Sequence, residues 1–150
     1  MARRRIAIGS GVVLLGASVG ACSTTMEIAV SGSLERPMIT FSRSGGHPKR
    51  VCLDRVAVYE VDAPAPRSPA WQVGDVESEC VEVASVTYGA APRGLPTRAG
   101  PAPLKPDTPY EFFGSGWTRE TPNIPWYGGG AGARVVFRDG AWRPAPRETD

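Results

Sequence analysis

Proton-transfer chemistry has one imidazole to work with. His47 is the only histidine of the chain. It sits in Gly45-Gly46-His47-Pro48, a turn-forming stretch with no nucleophile motif beside it. Ser-His-Asp and Cys-His arrangements need a histidine to carry the proton, and a lone histidine in a Gly/Pro turn reads as a solvated loop residue. Gly114-Ser115-Gly116 offers a glycine-flanked serine, but Phe113 and Trp117 stand where G-x-S-x-G requires glycines. That stretch reads as a turn. Glu77 and Glu79 would point the same way on a strand, about 7 Å apart by strand rise, and Glu79 and Glu82 form a second acidic pair. Two carboxylates hydrolyse glycosides when they flank a cleft, but a solvated strand face explains these acids as well. Gly128-x-Gly130-x-x-Ala133 echoes a dinucleotide fingerprint. That fingerprint needs a strand before it and a helix opening after it, so that amides and dipole meet the pyrophosphate. Here a strand follows, so the match fails. The expectation is a chain that is not an enzyme, with no catalytic residue, no metal site and no diffusible cofactor.

Binding chemistry has a better candidate. Thr121-Pro122-Asn123-Ile124-Pro125-Trp126-Tyr127-Gly128 puts two adjacent aromatics on a Gly/Pro-rich stretch, where both are hard to bury at once. Trp117 lies just upstream. Exposed aromatics with polar tips suit glycan stacking or contact with a protein. Trp117, Trp126 and Tyr127 are therefore the candidate partner-binding residues. The competing reading is that Trp117 or Trp126 caps an open end of the fold, since Trp is highly buried on average.

Composition bounds what can carry these residues. The chain has 150 residues, 41% hydrophobic and 21% charged, with 18 Gly and 15 Pro. That suffices for one domain with one core and is too rich in Gly and Pro for a helix bundle. The formal net charge is +2, and its source is local. Arg3, Arg4 and Arg5 precede an apolar run from Ile6 to Ala21, the charged and hydrophobic regions of a secretory signal. At 16 residues and with four glycines, the run is short of the roughly 20 residues that a membrane-spanning helix needs.

The run ends in Val19-Gly20-Ala21-Cys22, an aliphatic residue, two small ones and a cysteine. This resembles the lipobox of bacterial lipoproteins. The resemblance covers the first 22 residues only. It implies diacylglycerol on the sulfur of Cys22, cleavage before it, and acylation of the new amine by a palmitate-type chain. Two or three acyl chains, at about 0.8 kcal/mol per buried methylene, give lasting membrane attachment. Ser23 follows Cys22, which in enterobacterial lipoproteins goes with the periplasmic leaflet of the outer membrane. The periplasmic face of the inner membrane is the alternative. Without the three signal arginines, the 17 cations fall to 14 against 15 acids, a formal −1. The mature chain then has no net-charge reason to seek nucleic acid.

With Cys22 assigned to lipid, Cys52 and Cys80 remain. An even pair in an exported chain reads as a disulfide, worth about 3–4 kcal/mol for a loop of roughly 28 residues. Two buried thiols or half a metal site are the alternatives; the metal reading lacks a C-x-x-C pair and has only His47 to add.

The elements that must hold these residues follow from period-2 patterning. Strands are expected at Met26–Val30, Pro37–Phe41, Val51–Val61 (Cys52 sharing the face of Val56), Trp71–Val76 and Cys80–Tyr88. The last changes parity near Ala84-Ser85, which predicts a bulge or burial on both faces. Pro109–Phe113 and Ala133–Arg138 are further strands. Asp139-Gly140 is the strongest hairpin signal, returning through Ala141–Arg143. Gly89–Thr108 and Gly114–Gly132 read as long irregular stretches. Seven or eight short strands with no helical period predict an all-β fold: a small antiparallel β-sandwich, Ig-like in general architecture, with a small β-barrel as the alternative. The expected organisation is signal peptide 1–21, lipidated tether 22–25, β-sandwich 26–143 and a frayed tail 144–150. The function expected of it is a non-enzymatic, lipid-anchored envelope protein facing the periplasm, a binding or assembly module whose partner is an envelope protein or a glycan. A periplasmic inhibitor of the lysozyme-inhibitor type is an alternative, and a cell-wall hydrolase a more distant one.

Overall fold

The computed structural model describes residues 26–43, 51–118 and 127–146. The signal segment with Cys22, the loop with His47, and Trp126 lie outside the described residues. Ten strands follow one another with no helix among the described residues: β1 (Met26–Gly32), β2 (Pro37–Arg43), β3 (Val51–Glu60), β4 (Trp71–Gly74), β5 (Val81–Val83), β6 (Ser85–Thr87), β7 (Thr97–Ala99), β8 (Pro109–Thr118), β9 (Tyr127–Arg138) and β10 (Ala141–Pro144). They form two sheets. The smaller has the order β1-β2-β6, and the larger β10-β9-β8-β3-β4-β7 with β5 also paired to β3. Every pairing is antiparallel. The sheets stack as a sandwich and do not close into a barrel. Among the described residues no helix is long and apolar enough to cross a membrane.

Alternation puts the core between the layers. Ile39 and Phe41 of β2, Leu53, Val56 and Val58 of β3, Trp71 and Val73 of β4, and Phe112 of β8 have no exposed surface. Their partners across the strands point the same way, as antiparallel registry demands: Val58 stands opposite Trp71 on one side and Phe112 on the other. Trp142 of β10 meets Phe112 edge to face at 5.4 Å and Phe137 at 5.2 Å. Asp139 and Gly140 both have positive φ, at 53° and 74°, the backbone of a two-residue hairpin turn. β10 pairs as far as Pro144 opposite Val135, and the Ala145 amide bonds the Arg134 carbonyl. Pairing thus passes the expected end of the domain by two residues.

Several expectations are corrected. Cys52 does not share the face of Val56. The pairing of β3 with β8 shifts between Leu53 and Arg55, so Asp54 is an extra residue that flips parity, as a bulge does. Val51 and Leu53 face the core before it, and Val56 and Val58 after it. Cys80–Tyr88 is not one bulged strand. Val83 pairs with Val51 in the larger sheet while Ser85 pairs with Thr40 in the smaller, so the parity change marks the residue at which the chain changes layers. Gly89–Thr108 contains β7. The described residues of Gly114–Gly132 are strand, the C-terminal half of β8 and the N-terminal half of β9. Gly114-Ser115-Gly116 is therefore not a turn. β4 ends at Gly74, and the turn that follows holds Glu77.

Cys52 and Cys80 are joined as a disulfide, with Cα atoms 5.1 Å apart. It ties β3 to the segment leading into β5.

Candidate functional site

The smaller sheet covers one face of the larger, and among the described residues no further sheet covers the opposite face. Its residues are fixed by the register. On β8 they are Glu111, Phe113, Ser115 and Trp117, which alternate with the inward Phe112, Gly114 and Gly116. On β9 the residues directly opposite are Arg134, Gly132, Gly130 and Gly128. On β3 they are Arg55, opposite Ser115, and Ala57, opposite Phe113.

Three of the four β9 positions that face these side chains lack a side chain of their own, and the aromatic rings use the space. A Cβ on Gly128 would lie 2.9–3.2 Å from three adjacent atoms of the Trp117 six-membered ring, and one on Gly130 would lie 3.2 Å from two atoms of the Phe113 ring. The rings therefore lie down across bare backbone. Trp117 stays 43% exposed, and of the three exposed large hydrophobics among the described residues (Met38, Val76 and Trp117) it is the only aromatic. Phe113 carries the Arg55 guanidinium over its ring, 4.9 Å from the centroid, a cation–π contact. Ala57 is nevertheless fully buried, so the side chains beside it close over the sheet.

The bulge at Asp54 adds polar groups to the same face. The Ser115 hydroxyl donates to Asp54 Oδ1 at 2.5 Å. Gly116 permits this arrangement, because a side chain there would overlap the Cys52 carbonyl. The result is a flat aromatic strip with a guanidinium, a hydroxyl and a carboxylate along one side. Such a surface can stack against a ring or an apolar edge and hydrogen-bond its substituents.

The other predicted residues fall elsewhere. Tyr127 opens β9 with its backbone paired to Thr118, next to the Trp117–Gly128 pair. Glu77 lies in a turn in which its amide donates to Asp75 Oδ1 at 3.1 Å and the Ser78 hydroxyl donates to the same oxygen at 3.0 Å. These bonds, with Arg98 nearby, hold the Asp75 carboxyl below its usual range. Glu77 and Glu79 do not share a strand, and Glu82 stands opposite Cys52 in β5. Among the described residues no group of three His, Cys, Asp or Glu is placed to hold a metal ion.

Two concavities compete with the aromatic strip. One of about 270 Å³ is lined by Leu34, Glu35, Tyr88 and the stretch from Pro101 to Leu104. Its phenol is already used within the fold: Tyr88 donates to the Ala102 carbonyl at 2.6 Å, and burial pushes its pKa up to about 12. The other, about 330 Å³, opens between β1 and the β9–β10 hairpin over Ile28, Val30, Val135 and Trp142. Trp142 Nε1 there is buried without an acceptor.

No family model, curated protein or solved structure matches the chain. Sequence reading named Trp117 as a candidate and did not name Phe113 or Arg55, which the structure places on the same face. The signal was there: Phe113, Ser115 and Trp117 share a parity. Assigning the glycines to a loop hid it.

Proposed function

We propose that this chain is a lipid-anchored bacterial envelope protein that works as a non-enzymatic binding module, with the outer face of the larger sheet as its recognition surface. The observation that carries the reading is Trp117: a half-exposed indole laid over Gly128, with Phe113 over Gly130 on the same face. Exposed aromatics backed by a rigid sheet are the anchors that binding surfaces use. The lipobox-like Val19-Gly20-Ala21-Cys22 supports attachment through lipid on Cys22, at the periplasmic leaflet of the outer membrane or, failing that, the periplasmic face of the inner one. The Cys52–Cys80 disulfide supports an oxidising compartment. The partner is then an envelope protein or glycan and not nucleic acid.

The test is photo-crosslinking in cells. A photo-reactive phenylalanine analogue replaces Arg134, which is exposed on this face, and in a second strain Met38, which is exposed on the other sheet. One abundant adduct from position 134, absent from position 38 and lost when Trp117→Ala is added, is the expected result. Equal adducts from both positions, or none from 134 with the protein still in the membrane fraction, would overturn the proposal.

A further inference from the structure

The recognition face carries one group whose bonding is incomplete. Arg55 is half-buried and stacked on Phe113, yet it makes no hydrogen bond or ion pair with any described residue. Its Nε is buried without an acceptor. The neighbouring carboxylate, Asp54, accepts from Ser115. A guanidinium held in place by an aromatic ring, with no acceptor among the described residues, is pre-organised for a planar anion. The Nε donor has essentially no accessible surface, so a ligand on this face would meet the terminal Nη groups.

Beside Arg55 lies the strip itself. Trp117 is two residues along β8 from Ser115, the cross-strand partner of Arg55, so the backbones of Trp117 and Arg55 are diagonal neighbours, about 7–8 Å apart. Among the described residues, Gly128, Gly130 and Gly132 put no side chain of their own on this face, so the Trp117 and Phe113 rings lie low on β9 with their outer faces upward. A broad, flat ligand can therefore settle there, where a bulky side chain would have shaped a pocket.

Building on that reading of the face, we propose that its ligand is an acidic saccharide. The C–H face of a pyranose ring stacks on Trp117, and the carboxylate of the same or the adjacent sugar takes the free edge of Arg55. The Ser115–Asp54 pair lies within the strip to meet sugar hydroxyls.

The experiment is calorimetric titration of the full chain in detergent micelles with three probes: trigalacturonate, its fully methyl-esterified form, and pentaglutamate. The ester keeps every ring and removes the charge. Trigalacturonate is expected to bind about tenfold more tightly than the ester, because a charge-assisted pair replaces a neutral contact, and rising salt is expected to narrow the gap. Arg55→Gln removes the preference, Arg55→Lys keeps part of it, and Arg93→Gln, an equal charge change on an exposed loop, leaves it intact. Trp117→Ala weakens both saccharides. If acid and ester bind alike to the unmodified protein, the role of Arg55 is refuted while the recognition face stands. If pentaglutamate binds and neither saccharide does, or if nothing binds while the crosslink from position 134 persists, the ligand class is refuted. The first comparison uses the unmodified protein, so it decides even if a variant fails to fold.

Discussion

Replacing Trp117 with alanine separates a binding indole from a structural one. Trp71 supplies the scale. It is fully buried and packs on Tyr88 with ring centroids 5.2 Å apart. Truncating such a side chain removes its burial and leaves a cavity, at a cost of about 3–5 kcal/mol. Trp117 is 43% exposed and its ring borders solvent, so no enclosed cavity forms when it is removed. Only the covered part of its surface counts, roughly 100 Å² at about 25 cal/mol per Å², which gives about 2.5 kcal/mol. Urea unfolding followed by far-UV circular dichroism should therefore place Trp117→Ala about midway between the parent protein and Trp71→Ala, with unchanged m-values. The crosslinked adduct from position 134 should vanish in the Trp117 variant at temperatures where it is fully folded. A stability loss as large as that of Trp71→Ala would make Trp117 a structural cap and refute the argument. So would a variant that keeps the adduct.

Three further outcomes follow from the packing. Cys52→Ser with Cys80→Ser should lower stability by about 3–4 kcal/mol through the 28-residue loop it reopens, read as a shift in the urea midpoint. Gly114→Ala should cost about 1–3 kcal/mol, because its Cβ would come within 2.7 Å of the Phe41 ring in the core; an unchanged midpoint would mean that the layers are looser than described. Tyr88 has its pKa raised to about 12 by burial, so it stays protonated in the folded state after the unfolded chain has begun to ionise near pH 10. The folded state then binds more protons than the unfolded one, and stability falls as pH rises from about 10 to 12, by at most about 1.4 kcal/mol per pH unit. Tyr88→Phe should flatten that fall; an identical pH profile in the variant would contradict it.

The sequence carried much of this architecture where side chains alternate. Tyr110 and Phe112, Ile39 and Phe41, and Val135 and Phe137 announced their faces, and Asp139-Gly140 announced its turn. It misled where alternation was written in glycine. Glycine is depleted in strands because it packs nothing. In β8, however, the inward Gly114 makes room for Phe41, and in β9 the outward Gly128 and Gly130 make room for two rings. What local propensity forbids, the neighbouring strand requires, and no local window shows that neighbour. The same holds at Asp54. One extra residue reverses the parity of β3, and only the registry with β8 reveals it. Ala84 was legible as a break but not as a change of layer, because a single strand's pattern does not say which sheet receives it.

That change of layer has a mechanical meaning. Val83 belongs to the larger sheet and Ser85 to the smaller, with Ala84 alone between them and its carbonyl bonded to the Phe41 amide. A pull on the N-terminus would load β1 first and then β2 through seven residue pairs. From β2 the tension would pass into β6 and across Ala84 into β5. There the Cys52–Cys80 link anchors the route to β3, at the centre of the larger sheet. A tug at one end would thus be felt as strain shared between the two layers.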